Sequence, residues 1–287
     1  MAVTGAGGGV GSRAVRSLLD LDHASSVVAL TRKPAAIPKA PRLTARYANY
    51  EEPGSLPASL KAVDTLIFIS SDGLAEAMRE HHANVVSAAS EAGVGHVVYT
   101  SIIDISPESG FYYSRVHRDT EAMLADSGLS HSLARSSIFA DYLVSAWVSP
   151  ALATGTLALP AASGRMSLVS RDDVARALAS LALRRTPVTV ELTGPAALTA
   201  GEVCRVTEAV TGRELRYSAL NDSAYREAMS REEAPDWLIE AYSTMFASVR
   251  AGRFASVSDD IPDLTGASQQ SFEGFLRASP PVGAATR

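Results

Sequence analysis

The stretch TGAGGGVGS over residues 4–12 constrains this chain more than any other part of it. Gly5, Gly8 and Gly11 form a G-x-x-G-x-x-G pattern directly after the apolar pair Ala2 and Val3. Beyond it, Val10, Ala14, Leu18 and Leu21 recur at helical spacing. The pattern predicts a short strand, a glycine turn and a helix from about Gly11 to Asp22. Glycine suits each position for a separate reason. The first turns tightly out of the strand, the second lets the backbone approach a diphosphate, and the third lets the helix pack closely on the sheet. The helix N-terminus then offers free N–H groups and a partial positive charge. The loop from Thr4 to Gly11, Gly7 included, is therefore the expected seat of a dinucleotide.

After this loop the chain alternates strand and helix. Ser25–Thr31 reads as a buried strand, Leu43–Tyr47 as a weaker one, and a turn with Pro53 and Gly54 leads to a short helix near Ser55–Leu60. Thr65–Ser70 is continuously apolar, as a strand buried on both faces requires. A helix over Ala75–Ala92 ends at Gly93, a strand spans His96–Ser101, a helix over Tyr112–Ser127 ends at Gly128, and a strand covers Ser130–Arg135. This order predicts an α/β fold with a doubly wound parallel sheet of the Rossmann kind. The expected division is a nucleotide domain over residues 1–145, with return strands from 146–195, and a smaller C-terminal α+β lobe over 146–287. In that lobe Asp172 and Asp173 read as capping and charge–dipole support at a helix start, Thr199–Thr211 as a helix, and Tyr225–Arg250 as largely helical, interrupted near Pro235. The tail from Ser279 (SPPVGAATR) has a disordered composition.

The residue closing the second strand selects the nucleotide. An acidic residue there accepts from ribose hydroxyls, whereas a cation pairs with a 2′-phosphate. This chain reads Thr31-Arg32-Lys33-Pro34. NADP(H) is therefore preferred over NAD(H), with Arg32 as the phosphate partner and Lys33 or Arg13 as helpers.

Composition removes other classes. The net charge of −5, without a long basic run, argues against a nucleic-acid partner. No apolar run reaches the roughly 18–20 residues of a membrane span. A strand beginning almost at the first residue leaves no room for a signal peptide. The single cysteine, Cys204, rules out an internal disulfide or a cysteine-rich metal site. His81 and His82 point apart on a helix and have no evident third ligand, so no metal is expected. A cytoplasmic protein, monomer or homodimer, is the expectation.

Several stretches together resemble one family. TGAGGGVGS (4–12), Thr31-Arg32, Ala48-Asn49-Tyr50 with Pro53 and Ser55-Leu56, IFISS (67–71), HANVVSAASEAGVGHVVYTS (82–101), HRDTEAMLADSG (117–128), Arg135 and SDDIPDLTGASQQSFEGFL (258–276) are similar to the NmrA-like branch of the atypical short-chain dehydrogenases. Within that branch the likeness is greatest to the type 2 quinone oxidoreductase and triphenylmethane reductase group. The resemblance implies that Gly5, Gly8, Gly9, Val10 and Gly11 line the pyrophosphate and that Arg32 meets the ribose phosphate. It further implies that Asn49 and Tyr50 lie near the adenine, and that Ser70 and Ser71 contact ribose and pyrophosphate. The implied substrate is a quinone or a similar flat, conjugated aromatic molecule reduced by NADPH. Some family members are non-catalytic redox-sensing regulators, which is the alternative reading.

Ordinary short-chain dehydrogenases use Tyr-x-x-x-Lys with an upstream Ser, the Tyr donating a proton and the Lys lowering its pKa. Here the motif is Tyr113-Ser114-Arg115-Val116-His117, with Tyr112 an alternative tyrosine. A spacing of four sets Tyr113 and His117 on one helix face. His117, Tyr113 and Ser101 are the candidate catalytic residues, and His117 can hydrogen-bond the nicotinamide ribose or polarise a substrate oxygen. Phe139 and Tyr142, with Trp147, are candidates for the wall of an aromatic substrate pocket.

Overall fold

A computed structural model describes residues 1–21 and 26–279. The expected helix end at Asp22, the strand start at Ser25 and nearly all of the tail from Ser279 lie outside these described residues. In chain order the nucleotide half comprises β1 (Ala2–Val3), α1 (Gly9–Leu21), β2 (Val27–Thr31), β3 (Leu43–Tyr47), α2 (Leu56–Ser59), β4 (Thr65–Phe68), α3 (Ala75–Glu91), β5 (His96–Ile102), α4 (Ser114–Asp126) and β6 (His131–Ser136). Next come α5 (Ala140–Leu143), a π turn over Val144–Val148, α6 (Ser149–Thr154), β7 (Thr156–Leu159), β8 (Arg165–Met166), α7 (Arg171–Arg184) and β9 (Thr189–Leu192). The chain closes with β10 (Leu198–Thr199), α8 (Ala200–Thr211), β11 (Arg216–Ala219), α9 (Asp222–Arg231), α10 (Asp236–Arg250), α11 (Asp260–Thr265) and α12 (Phe272–Ala278).

Seven strands form one sheet in the order β3-β2-β1-β4-β5-β6-β9, and every pair in it is parallel. Successive strand residues serve opposite faces, as the pleat demands. Val27, Ala29, Ile67 and Val98 pack under α1 and α7, while Val28, Leu30, Leu66, Phe68, Val97 and Tyr99 pack under α2, α3 and α4. Both faces being covered explains why these strands read as unbroken apolar runs. The strand order reverses between β1 and β4, so the loops after these two strands flank a crevice at the sheet's carboxyl end.

The smaller lobe is α+β. Its parallel pair β7·β11 and antiparallel pair β8·β10 lie beside α8, α9, α10 and α12. A core of Leu152, Leu157, Val203, Phe246, Val249 and Phe272 holds these elements together. Among the described residues no helix is long and apolar enough to cross a membrane.

Three local expectations are corrected. Helix α1 begins at Gly9 rather than near Gly11, so the second half of the glycine run already belongs to the first turn. Helix α4 begins at Ser114 rather than Tyr112, because both tyrosines brace the loop between β4 and α3. Asp172 and Asp173 do not cap α7. Ser170 does, accepting from the Asp173 amide, while the carboxylates pair with Arg13 and Arg176.

Candidate cofactor and active site

The glycine loop is held from both sides. The Ala6 amide donates to Leu30 O at 3.1 Å, fixing the loop to β2, and Thr4 Oγ1 accepts from the Ile69 amide at 2.9 Å, fixing it to the end of β4. Gly5 has a φ of +56°, the left-handed region that L side chains avoid. A Cβ on Gly11 would stand 2.2 Å from Gly5 O and 2.7 Å from Gly5 C, so α1 can approach the loop only with glycine there. Gly5, Gly7, Gly8 and Gly9 are exposed. The first amides of α1 lack acceptors within the helix, though Ser12 N reaches back to Gly8 O at 3.0 Å. The result is a fixed row of exposed backbone at a helix N-terminus, suited to an anion.

At the tip of β2, Arg32 and Lys33 are exposed and make no ion pair among the described residues. Lys33 N donates to Thr31 Oγ1 at 3.2 Å. Across from them, Asn49 closes a turn: its Nδ2 donates to Glu52 Oε1 at 3.1 Å and its Oδ1 accepts from Glu51 N at 3.2 Å. Tyr47 also donates to Glu52, at 2.9 Å, and this carboxylate raises the pKa of the phenol while Arg32 lowers it. Glu52 is thus a charged neighbour of the Arg32 region that sequence reasoning missed. Tyr50 donates to Ile69 O at 2.8 Å and meets Phe68 edge-on, with ring centres 5.9 Å apart.

Below β4 a polar chain runs through the layer between sheet and helices. The Ser70 amide donates to Thr100 Oγ1 at 2.7 Å. Ser70 Oγ, Ser71 N and Ser71 Oγ all lie within 3.3 Å of His82 Nε2. His82 Nδ1 is 2.8 Å from Thr120 Oγ1 and 3.5 Å from Tyr99 OH, and Tyr99 OH is 2.8 Å from His117 Nδ1. Burial pulls the pKa of both His82 and His117 down to about 3, so both rings are neutral at ordinary pH. Tyr113 and Tyr112 reach the β4–α3 loop. Tyr113 donates to Gly73 O at 3.2 Å, and Tyr112 OH accepts from Ala75 N at 3.0 Å. Ser101 stands on a separate network, donating to Glu121 at 2.7 Å, where Arg135 grips the same carboxylate with two nitrogens.

The structure thus joins Ser70 and Ser71 to His117 through two residues that the sequence reading left aside, His82 and Tyr99. A signal for His82 existed. With Met78, Val85 and Ala89 it occupies the buried stripe of α3, where an unpaired imidazole would be costly.

The opposite wall comes from distant sequence. Arg171 at the start of α7 lies so close to the glycine loop that a Cβ on Gly9 would meet its side chain at 3.1–3.2 Å. Its guanidinium carbon sits 5.4 Å from the ring centre of Phe139. Asp141 accepts from Arg171 N at 2.9 Å and pairs with Arg13 at 3.4 Å, while Arg13 also meets Asp172 at 2.9 Å and Gly9 O at 2.8 Å. Arg13 is therefore engaged with the α7 wall, away from its suggested role as helper to Arg32. Tyr142 stands edge-on to Trp147, with centres 5.5 Å apart, and tilted to Tyr242 at 5.9 Å. Burial is the main cause raising the pKa of both Tyr113 and Tyr142, and the Asp72 carboxylate raises both further, while the Gly73 bond opposes the rise at Tyr113. Both phenols therefore sense the charge of one loop residue.

Comparison with known proteins settles the family: the profile of an NAD(P)H-binding family matches residues 5–185, well over half of the chain. The chain belongs to this NAD(P)H-binding family. Among curated members it is 30% identical over 273 residues to quinone oxidoreductase 2 of Escherichia coli, covering 93% of each chain. It is 28% identical over 284 residues to the NAD(P)H azoreductase of Xenophilus azovorans, covering 96% of each. Among solved structures it superposes on the NADPH complex of the NADPH-dependent quinone oxidoreductase from Escherichia coli with a TM-score of 0.88 at 28% identity, over 96% of this chain and 98% of that one. The resemblance to the NmrA-like branch read from the sequence agrees with these relatives.

Proposed function

We propose that this chain is an NADPH-dependent reductase of a quinone or a similar conjugated aromatic small molecule. The observation carrying this reading is a dinucleotide crevice with no positioned acid at hand: one candidate is committed and the other is neutral. The Tyr113 hydroxyl is engaged by Gly73 O, and His117 is buried and neutral. Reduction of a simple ketone asks for a positioned proton donor. A quinone does not: its product oxygens take protons from water, and orientation of the ring against the nicotinamide carries most of the rate.

The residues present fit the cofactor. Gly5, Gly7, Gly8, Gly9 and Val10 offer the backbone cradle, and Gly11 admits the helix that closes it. Arg32, with Lys33, is exposed at the tip of β2 for a 2′-phosphate, which favours NADP(H) over NAD(H). Asn49 and Tyr50 border the adenine end, and Ser70 and Ser71 the ribose end. Arg171, whose side chain lies where a Cβ on Gly9 would crowd it, adds a cation to the diphosphate site. NADPH supplies a hydride when bound. The chain's own part is to grip the diphosphate, hold His117 beneath the cleft and present Phe139, Tyr142 and Trp147 as an aromatic wall against a flat substrate. Tyr113 and Ser101 then act as braces rather than as acids, Tyr113 through the β4–α3 loop and Ser101 through Glu121. Buried, unpaired Cys204 suits a reducing, cytoplasmic setting.

The test is direct. Purified protein is mixed with NADPH and a panel of small quinones, and absorbance of the reduced nicotinamide is followed. Steady loss that depends on the quinone supports the reductase. Tight NADPH binding with no turnover on any acceptor gives the non-catalytic, redox-sensing alternative instead.

A further inference from the structure

The short hydrogen bonds beneath the cleft set a direction for the protons they carry. Thr120 Oγ1 lies 2.8 Å from Val116 O, a carbonyl that can only accept, so the Thr120 proton is committed there. The bond between Thr120 Oγ1 and His82 Nδ1 must then run from the ring, which places the His82 proton on Nδ1. The other side of the ring agrees independently. His82 Nε2 faces the Ser71 amide, which can only donate, so Nε2 is an acceptor. Tyr99 OH next has two ring nitrogens in reach. His82 Nδ1, 3.5 Å away, already carries a proton; the Thr120 and Ser70 hydroxyls also neighbour the phenol, but its short contact is the one to His117 Nδ1. Tyr99 therefore donates to His117 Nδ1 at 2.8 Å. That leaves the proton of a neutral His117 on Nε2, the nitrogen with no partner among the described residues.

We infer that Thr120, His82 and Tyr99 form a one-way relay that fixes His117 as its Nε2–H tautomer, making it a neutral hydrogen-bond donor to a cofactor or substrate oxygen. Tyr99 and His82 are positioning residues that act through His117. This assignment rests on the reductase reading for its consequence but not for its structure. It supplies what replaces the lysine of the Tyr-x-x-x-Lys pattern: a directional N–H donor without a charge. Such a group can hold a ribose hydroxyl or polarise a quinone oxygen, but it does not serve as a cationic proton source. The low pKa that burial gives both rings keeps them in this neutral arrangement at working pH.

Long-range proton–nitrogen correlation spectra of 15N-histidine-labelled full-length protein read each ring's tautomer directly. The expected result is Nδ1–H for His82 and Nε2–H for His117, assigned by loss of the signal in His82→Gln and His117→Gln. Tyr99→Phe removes the donor to His117 Nδ1, and the His117 signals should shift to a mixture of tautomers. The same variant should lower kcat on the best quinone about 2- to 10-fold, the scale of one neutral hydrogen bond, with KM for NADPH changed less. An Nδ1–H His117 in the wild type overturns the inference, as does a Tyr99→Phe spectrum still showing pure Nε2–H. If the wild-type tautomers are as stated but no quinone is turned over, the relay stands and the reductase reading fails.

Discussion

At the residue scale, binding turns on a few positions whose chemistry is not replaceable. Gly11 is one, since any side chain would drive into Gly5 O. Arg32 is another: it is exposed and makes no ion pair among the described residues, so its charge is available to a ligand. A charge-assisted hydrogen bond contributes about 1.5–3 kcal/mol. Arg32→Glu should therefore weaken NADPH binding by roughly 10- to 100-fold and leave NADH binding within a few-fold, measured by fluorescence titration of both nucleotides. Equal losses would remove Arg32 from the 2′-phosphate site. Arg32 can be named as a candidate from sequence because it follows a strand at a known distance from the glycine loop. Arg171 cannot, since its approach to Gly9 depends on a contact between positions 162 residues apart, on α7 and α1.

At the element scale, α3 and α4 are joined to the sheet by a buried polar seam rather than by apolar packing alone. His82 on α3, Thr120 and His117 on α4 and Tyr99 on β5 make it up. The seam ties stability to pH. Each imidazole has an ordinary pKa near 6.5 when unfolded and about 3 when folded. Below about pH 6.5 the unfolded chain takes up protons that the folded chain refuses, so stability falls as pH drops and is level above that point. Chemical melts should show a lower midpoint at pH 5 than at pH 7, and His117→Gln should shrink the difference. An unchanged difference would mean that the ring is not neutral in the fold. The strands carrying this seam were readable from the sequence because each alternates between two apolar faces. The start of α4 was misread because Tyr112 and Tyr113 satisfy the β4–α3 loop, a tertiary demand with no local marker.

At the scale of the whole molecule, the segment after β6 meets α1 and α7 beside the glycine loop. Asp141 links Arg13 of α1 to the amide of Arg171, and an isolated bridge pairs Phe139 with Val169. The segment after β6 and the start of α7 thereby form a wall against the glycine loop. Loss of the Asp141 carboxylate frees both partners, so Asp141→Ala should weaken binding of NADPH and NADH alike, about 3- to 10-fold on the scale of such bonds. That pattern separates it from Arg32→Glu in the same titrations, and a loss confined to NADPH would contradict it. The doubly wound sheet and the nucleotide loop were legible because local periodicity and glycine spacing encode them. The aromatic wall of Tyr142, Trp147 and Tyr242 was legible only in part, since Tyr242 arrives from α10.

Every role assigned to the crevice depends on the exposed glycine loop and the first turn of α1 holding the diphosphate of a nicotinamide nucleotide. Calorimetric titration of the purified chain with NADPH, and then with NADH, is the decisive check. Saturable uptake of one nucleotide per chain is expected, tighter for NADPH, with the thermal midpoint raised by bound nucleotide as mass action requires. No measurable uptake of either nucleotide, with the protein folded, would refute it.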